Sequence, residues 1–499
     1  MAAMRRFVAL LAAASLCAIG ARAARADDAL PAAARALLAE AGVPPEAFAG
    51  VALPLRQDAR PWRWRADVPM QPASSLKVLT SIVALDLLGP DQRGFTELRS
   101  AAPVVDGVLR GDLVLRGGAD PELGAAQFWA MLAELRAQGV QEIAGDLVVD
   151  RTLFRPARMD LGVLPFDEAP EFAYNVIPDA LQLAGSMLRI DIDSAGGQVR
   201  ATTVPPLPGV SVASAMTLTE RRCTAWDDDW QPARVEHHGT ALAIELRGGF
   251  PRGGAGGCKV SAELQLIDRQ ELTARLFRAL WSELGGRFAG RVLEAAGPPA
   301  SRVLVRRQSR PWGEVLRHMN KRSDNIEARL LFLSLGVPAM AAEPQASTRE
   351  LAARAVRGWL AAQGIDAAGL VLDNGSGLSR SERITPLALA RALAVAWHGP
   401  HASDLEMSLP VIGRETALAL KASPAAGWAR MKSGTLRNVV ALAGYVNDPE
   451  GRPWVLAMMI NHDEAQRVRP ALFAVVDALA RGTLQPRALL RVGPQGDGP

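Results

Sequence analysis

Lysine is scarce in this sequence. Arginine supplies 51 of the 56 basic residues, and lysine occurs only as Lys77, Lys259, Lys321, Lys421 and Lys432. A guanidinium stays charged, whereas a lysine amine can lose its proton in a desolvated site. A chain that uses arginine almost everywhere is therefore expected to keep lysine where titration matters. The alternative is that genomic base composition favours arginine and the lysines are scattered by chance.

Other absences exclude whole classes of protein. The net charge is only +4, and the 56 basic and 52 acidic residues are dispersed, so no basic run marks a nucleic-acid-binding surface. The three cysteines form no C-x-x-C pair and the six histidines have no ligand spacing. We therefore predict no nucleic-acid partner, no metal site and no cofactor.

The strongly apolar stretch at the N-terminus is short. Two arginines at positions 5–6 precede an apolar run over 7–21 and the small-x-small triplet Ala24-Arg25-Ala26. This pattern is typical of a secretory signal peptide, and we predict residues 1–26 to be removed. No later stretch approaches the ~20 apolar residues of a membrane helix. The mature chain is thus predicted to be exported to the periplasm, with no transmembrane span.

Two cysteines remain after such cleavage, because Cys17 lies in the removed segment. Cys223 and Cys258 are the remaining pair. In an oxidising compartment, a pair separated by a hairpin or a small domain can close a disulfide. We favour that disulfide over the alternative of two buried free thiols.

The pattern of apolar residues divides the chain of 499 residues, which is long enough for two or more domains. Apolar residues at helical spacing follow Ser74 and stop at Gly89-Pro90. Short alternating segments separated by turn residues then fill 96–299, which we predict to be an inserted β-rich region of two small domains. Helical spacing and two strand-like segments return later. This end of the chain predicts an α/β fold in which helices pack on an antiparallel sheet, followed by a disordered tail at 491–499.

Ser74 and Lys77 form the first candidate chemical pair. At positions i and i+3 of a helix, two side chains lie on one face, so the amine can approach the hydroxyl. A serine becomes a good nucleophile when a neighbouring base takes its proton, and a lysine with a lowered pKa can be that base. S-x-x-K is a short pattern, however, and on its own it also fits two surface residues with no catalytic role.

Two further motifs have structural explanations when each is considered alone. Ser323-Asp324-Asn325 precedes an apolar helix and fits an N-cap, with Glu327 in place to close a capping box. Lys432-Ser433-Gly434-Thr435 precedes a strand-like segment and fits an ordinary turn with an exposed lysine. Together with Ser74 and Lys77, however, the three motifs follow the order found in penicillin-binding proteins and serine β-lactamases.

Further segments narrow this resemblance. The segments "LVLRGGADPEL" at 113–123, "IAGDLVVDRTLF" at 143–154, "YNVIPDAL" at 174–181 and "LDNGSGLSR" at 372–380 resemble the D-alanyl-D-alanine carboxypeptidase/endopeptidase family. This is peptidase family S13, the class C low-molecular-mass penicillin-binding proteins. The resemblance covers nearly the whole mature chain. It implies a transpeptidase-like catalytic domain, an α/β sandwich built from both ends of the chain at 27–95 and 300–490, with β-rich domains inserted between the first two motifs.

The resemblance also implies an activity and residue roles. Ser74 would attack the carbonyl between two D-alanines of a peptidoglycan stem peptide, Lys77 would take its proton, and penicillin would acylate the same serine. The remaining implied roles are a proton relay by Ser323 and Lys432, an amide contact by Asn325, a carboxylate site made of Lys432 and the hydroxyls of Ser433 and Thr435 beside Gly434, an oxyanion hole from the N–H groups of Ser74 and Thr435, and a substrate-side Arg380.

One departure and three alternatives accompany this interpretation. The third motif reads K-S-G where the family usually has K-T-G; Ser433 keeps the hydroxyl and loses a methyl, so we expect altered rates rather than lost activity. A serine β-lactamase would share the acylation chemistry, but the E-x-x-L-N stretch of one class is absent, and the Y-x-N from Tyr445 to Asn447 follows the third motif. A Ser-His-Asp hydrolase would need His462, and no G-x-S-x-G elbow is present. A non-catalytic cell-wall binding protein would not need the ordered serine and amines.

Overall fold

The fold is described from a computed structural model that covers residues 28–57, 59–415 and 420–484. The predicted signal peptide and the predicted tail lie outside these residues. Within them the helices are α1 Ala32–Glu40, α2 Leu76–Leu87, α3 Ala125–Ala137, α4 Arg269–Glu283, α5 Trp312–Arg322, α6 Asn325–Ser334, α7 Thr348–Ala362, α8 Pro386–His398, α9 Ala402–Ser408 and α10 Pro470–Ala480.

The strands in the same part of the chain are β1 Phe48–Pro54, β2 Trp62–Trp64, β3 Arg93–Ser100, β4 Val104–Val105, β5 Val108–Leu109, β6 Leu113–Gly118, β7 Glu142–Ile143, β8 Leu147–Asp150, β9 Leu188–Asp193, β10 Arg200–Thr203, β11 Val210–Ser214, β12 Thr217–Thr219, β13 Trp230–His238, β14 Ala241–Pro251, β15 Lys259–Leu264, β16 Arg287–Phe288, β17 Val292–Glu294, β18 Arg302–Pro311, β19 Arg430–Leu436, β20 Val439–Asn447 and β21 Pro453–Asn461.

A five-stranded antiparallel sheet joins the two ends of the chain. Its strand order is β19-β20-β21-β1-β2, and every neighbouring pair is antiparallel. The pairing of Ala49 with Met459 shows how a strand near the N-terminus lies beside one near the C-terminus. Helices pack on this sheet, which confirms the predicted fold class.

Both faces of this sheet are buried. Successive side chains of a strand point to opposite faces, so each strand contributes to two cores. In β21, Val455, Ala457 and Met459 enter the core that contains α2 and α8, and Leu456, Met458 and Ile460 enter the core that contains α1 and α10. The sheet therefore lies between two layers of helices, which explains why β20 and β21 are apolar at nearly every position.

Helix α2 lies at the centre of one of these cores. Every residue from Leu76 to Leu85 is buried, and the helix packs against α5, α6 and α8. It begins directly after a 3₁₀ turn over Ala73–Ser75 and ends at Leu87, just before the Gly89-Pro90 stop that the sequence predicts. A helix that is apolar on all sides belongs in a core. Lys77, Thr80 and Ser81, the polar residues between Leu76 and Leu85, are therefore buried as well.

The segment between β3 and β18 builds a second core. Its sheets have the orders β17-β8-β6-β3-β18, β16-β7-β5-β4, β10-β9-β15 and β11-β14-β12, with β13 paired to β14. The second core runs from Leu98 to Val305 and includes side chains of α3 and α4. The alternating segments predict the strands, whereas these two helices were not predicted. The division of the chain at 96 and 299 stays a prediction.

One disulfide links two parts of the β-rich segment. The structure joins Cys223 to Cys258, with their Cα atoms 5.7 Å apart, and so ties the turn that follows β12 to the start of β15. None of the helices formed by residues 28–57, 59–415 and 420–484 is long and apolar enough to cross a membrane.

Candidate active site

The three sequence motifs meet at one place in the fold. Ser74 lies in the turn before α2, Ser323 ends α5 in a left-handed conformation with φ of 60°, and Asn325 begins α6. Lys432 lies on the edge strand β19, which packs against the turn that carries Ser74. Asp324 caps α6 by accepting a hydrogen bond from the N–H of Glu327, so the N-cap explanation also holds at this motif.

Lys77 donates from a fully buried position. Its Nζ lies 3.1 Å from Ser74 Oγ, 2.7 Å from Asn325 Oδ1 and 2.7 Å from the Ser376 carbonyl oxygen. Burial holds the pKa of Lys77 well below its usual range, and the nearby charge of Lys432 lowers it further. A neutral amine has two N–H bonds and one lone pair. The amide oxygen and the carbonyl accept the two N–H bonds, which leaves the lone pair for the Ser74 hydroxyl.

Lys432 forms a second buried amine beside the first. It is 2% exposed, and its Nζ lies 2.9 Å from Ser323 Oγ and 2.9 Å from the Ser433 carbonyl oxygen. Burial lowers the pKa of Lys432 to about 7. The amine can therefore give or take a proton near neutral pH, and Ser323 is placed to share that proton.

Glycines allow the turn that carries Ser74 to be clasped from two sides. A Cβ at Gly434 would lie 2.7 Å from the Pro72 carbonyl oxygen and 2.9 Å from the Ser74 nitrogen. Gly377, whose φ is +82°, approaches the Ala73 carbonyl so closely that a Cβ would clash with it. Any larger residue at these two positions would displace the serine.

The far end of β19 carries the predicted carboxylate site. Ser433 is half-buried, and Thr435 is exposed with its Oγ1 accepting a hydrogen bond from Arg469 Nη2 at 3.0 Å. Arg469 immediately precedes α10 and was not identified from the sequence. Its local context contains no motif, and only the packing of α10 against β20 brings it near Thr435.

Arg380 takes no part in the hydrogen bonds described above for Ser74, Lys77 and Lys432. Its guanidinium lies 4.8 Å from the centre of the Phe166 ring, and its own carbonyl accepts a hydrogen bond from Gln71. The side chains of Arg380 and Phe166 line a cavity of about 740 Å³ beside the "GSGLSR" loop. Gln71 is also held by Asn461 at the end of β21, so this loop is fastened to the segment that leads into Ser74.

A second cavity, of about 610 Å³, opens at the second motif. Ser323 and Asn325 form part of its lining, and Tyr174, Trp226 and Glu263 line it from the β-rich segment. The disulfide between Cys223 and Cys258 links the turn that leads to Trp226 with β15, which carries Glu263. The β-rich segment therefore forms a wall of the cleft.

The histidines have other roles. The Nδ1 atom of His462 accepts a hydrogen bond from the N–H of Glu464, which places this histidine in a local turn rather than beside the candidate nucleophile. His318, Asp324 and Glu327 are a group of potential metal ligands whose atoms lie within 4.8 Å of one another. His318 Nδ1 already pairs with Glu327 at 2.9 Å, and the pairing raises the pKa of His318. Burial raises the pKa of Glu327 to about 7, so we interpret His318 and Glu327 as a hydrogen-bonded pair that can share a proton, beside the cap residue Asp324.

Comparison with known proteins identifies the family. The model of the D-Ala-D-Ala carboxypeptidase 3 (S13) family matches residues 33–480. The chain belongs to this family. The resemblance predicted from the motifs is thereby confirmed, as is the prediction of a hydrolase of the D-Ala-D-Ala carboxypeptidase type.

Individual relatives agree with this assignment. A D-alanyl-D-alanine carboxypeptidase from Actinomadura sp. (strain R39) is 30% identical over 423 residues, which cover 82% of this chain and 76% of that protein. The D-alanyl-D-alanine carboxypeptidase DacB from Haemophilus influenzae is 26% identical over 401 residues, which cover 79% of this chain and 80% of that protein.

A solved structure shows the same fold. The crystal structure of penicillin-binding protein 4 (DacB) from Haemophilus influenzae aligns with a TM-score of 0.74 at 23% sequence identity. The alignment covers 91% of this chain and 99% of that chain. The fold that combines the five-stranded sheet with the β-rich segment is therefore shared with that protein.

The buried amine of Lys432 predicts a pH-dependent cost in stability. Its pKa falls from about 10.5 to about 7 on folding, so the unfolded chain binds more protons between these values and wild-type stability rises with pH across this window. Lys432→Met should raise the free energy of unfolding by roughly 3–5 kcal/mol below pH 7, and the gain should shrink towards pH 10. Urea unfolding at several pH values measures the difference; a gain that does not change with pH would contradict it.

Proposed function

We propose that this chain is a serine-type D-Ala-D-Ala carboxypeptidase and endopeptidase that acts on peptidoglycan stem peptides through an acyl-enzyme on Ser74. The arrangement of Lys77 carries the proposal, because a buried amine of lowered pKa has its two N–H bonds accepted elsewhere and lies 3.1 Å from Ser74 Oγ. Family membership supplies the substrate class.

Acylation begins with the Ser74 hydroxyl. Neutral Lys77 takes its proton as Oγ attacks the carbonyl carbon of the penultimate D-alanine, which forms the C–O bond and places a negative charge on the carbonyl oxygen. The N–H groups of Ser74 and Thr435 are proposed to bind that oxygen. Their position is supported by the close approach of Gly434 to the Ser74 turn, which brings the two backbones together.

Collapse of the intermediate breaks the C–N bond. The departing amine takes a proton that Lys77 gained, with Ser323 and Lys432 relaying protons; the 2.9 Å contact between Lys432 Nζ and Ser323 Oγ supports this relay. If the amine belongs to free D-alanine, the reaction is that of a carboxypeptidase. If it belongs to a second stem peptide, the same step cuts a cross-link.

The end of β19 is proposed to hold the terminal carboxylate. Lys432 and the hydroxyls of Ser433 and Thr435 form this site, with an amide contact to the substrate from Asn325. Arg469, 3.0 Å from Thr435 Oγ1, adds a fixed positive charge. Arg380 is proposed as a substrate-side residue, since it lines the 740 Å³ cavity. Water then attacks the ester, releases the shortened peptide and returns the proton to Ser74.

β-Lactams are proposed to acylate the same serine. The penicillin-binding protein 4 of Haemophilus influenzae has been solved in complex with a β-lactam, and its structure aligns with this chain with a TM-score of 0.67. A β-lactam amide placed over Ser74 meets the same base and the same oxyanion donors. The ring carbonyl is therefore expected to be attacked as the peptide carbonyl is.

Ser74→Ala tests the nucleophile. The mature wild-type protein should be labelled covalently by fluorescent penicillin and should release D-alanine from a pentapeptide. The alanine variant should lose both activities, because no hydroxyl remains to form the ester. Gel fluorescence and a D-alanine assay measure these outcomes, and Ser75→Ala, one residue away, is the matched control expected to keep labelling. Labelling that persists in Ser74→Ala would overturn the assignment.

The same assays separate the proposed peptidase from a β-lactamase. A peptidase forms a long-lived penicillin adduct and releases D-alanine. Rapid turnover of penicillin without release of D-alanine would favour the β-lactamase. Digestion of cross-linked muropeptides by the pure enzyme then measures the endopeptidase reaction.

Lys77→Arg tests the need for a lysine at this position. Arginine keeps the positive charge but cannot deprotonate, so the acylation rate should fall by at least about a thousandfold. Lys321→Arg is the matched control, because Lys321 pairs with Glu415 at 2.6 Å as a charged group. Its penicillin acylation rate, measured by stopped-flow fluorescence, should stay near the wild-type value. An active Lys77→Arg variant would exclude Lys77 as the base.

Export to the periplasm is also proposed. Its support is the signal-peptide pattern in residues 1–26 and a peptidoglycan substrate, which lies outside the cytoplasm. When the full chain is expressed in a Gram-negative host, mass spectrometry of the periplasmic fraction should find a mature N-terminus at Asp27. Uncleaved protein confined to the cytoplasm would contradict this expectation.

A further inference from the structure

Glu382 is a fully buried carboxylate close to the candidate active site. It is 0% exposed, and its Oε1 accepts hydrogen bonds from the N–H groups of Asp373, Asn374 and Gly375 at 3.2, 2.9 and 2.9 Å. Burying a carboxylate is costly unless it is well paired. Three backbone donors on one oxygen shape the loop at 373–375 around this side chain.

The same loop continues directly to Lys77. The carbonyl of Gly375 accepts a hydrogen bond from Thr80 Oγ1 at 2.7 Å, and the carbonyl of Ser376 accepts one from Lys77 Nζ at 2.7 Å. Thr80 and Lys77 are both on α2, one turn apart. The loop is thus held by Glu382 on one side and presents two consecutive carbonyls to α2 on the other.

The Ser376 carbonyl determines where the lone pair of Lys77 points. The amine rotates about its last C–N bond, and two acceptors are needed to fix that rotation. Asn325 Oδ1 is one acceptor and the Ser376 carbonyl is the other. Without the second, an N–H bond could turn towards Ser74, and the amine would then be poorly placed to accept the serine proton.

We propose that Glu382 is a positioning residue for the catalytic amine: by holding the loop at 373–375 it fixes the Ser376 carbonyl, which in turn orients Lys77 towards Ser74. The inference rests on the proposed function. Its direct contacts are with backbone N–H groups, so Glu382 acts through the loop and touches neither substrate nor nucleophile.

Glu382 also acts on Lys77 through its charge when its carboxyl is ionised; burial raises the pKa of Glu382, so this effect weakens as the pH falls. The charged groups that influence the amine are Lys432 and Arg329, which lower the pKa of Lys77, and Asp324 and Glu382, which raise it against the larger effect of burial. Loss of the Glu382 carboxylate and of the Ser376 acceptor should both make the ammonium form less stable. The pH at which the amine becomes a base should therefore fall.

The experiment compares Glu382→Ala with Glu382→Gln. Glutamine keeps an oxygen for the three N–H groups, and alanine keeps none. The second-order rate of penicillin acylation, measured from pH 4 to 10 and normalised to the fraction of protein that is labelled, should fall about 30- to 100-fold at its plateau in the alanine variant. It should stay within about threefold of wild type in the glutamine variant. The acidic limb of the alanine profile should move to lower pH by about one unit.

Asp448→Ala is the matched control. Asp448 is a buried carboxylate that also accepts backbone N–H bonds, from Glu450 at 3.1 Å and Arg452 at 2.9 Å, in the turn between β20 and β21. Its loss should lower the melting temperature and leave the normalised rate and the acidic limb unchanged. If Glu382→Ala does not fold, Thr80→Val removes the other anchor of the same loop and should slow acylation about three- to tenfold with the same direction of shift.

The outcomes separate this inference from the proposed function. A wild-type protein that penicillin does not label contradicts the proposed function. A labelled wild type with a Glu382→Ala profile that matches it, or with a Glu382→Gln rate that falls as far as the alanine rate, overturns only the positioning role. An acidic limb that stays in place in Glu382→Ala, or a Thr80→Val variant identical to wild type, does the same.

Discussion

Lys77 places a basic amine inside the apolar core around α2. A lysine in the middle of an apolar helix is unfavourable unless it loses its charge and finds partners for its N–H bonds. The structure supplies both conditions, since burial lowers the pKa of Lys77 and three oxygens from three parts of the chain surround Nζ. The packing that disfavours the charged form of Lys77 also lowers its pKa, which is the property that the proposed base requires.

The helical layers on the two faces of the sheet help to exclude water from the region of Lys77 and Lys432. Strand β19, which carries Lys432, is paired along its length with the buried strand β20. β19 must also come close to the Ser74 turn, which requires the glycine at position 434. Burying two amines at this site is expected to cost stability, because the charged form of each is disfavoured away from water.

The β-rich segment completes the cleft instead of standing apart from it. The carbonyl of Tyr174 accepts a hydrogen bond from Asn325 Nδ2. The next two carbonyls, of Asn175 and Val176, accept hydrogen bonds from the buried Arg329 of α6. Helix α6, which carries the second motif, is therefore fixed partly by residues from the other core. Tyr174 thus lines the 610 Å³ cavity and also supports the helix that carries the second motif.

Local patterns in the sequence predict where helices begin and end and which side chains share a helix face. Helical spacing places Ser74 and Lys77 one turn apart, the Gly89-Pro90 stop ends α2, and the ordered motifs carry the family resemblance and its fold class. Alternation predicts most strands between β3 and β18. The helices α3 and α4 were not predicted, although the buried residues of α3, Phe128, Met131, Leu132 and Leu135, recur at helical spacing.

The hydrogen-bond partners of Lys77 depend on tertiary packing. Ser376 lies 299 residues beyond it, and Glu382 and Arg469 belong to no short motif, so no local pattern could assign them. Sequence spacing fixes which side chains share a helix face, because a helix repeats regularly along the chain. Which distant carbonyl meets a buried amine depends on how the whole chain packs, and only the folded molecule shows that.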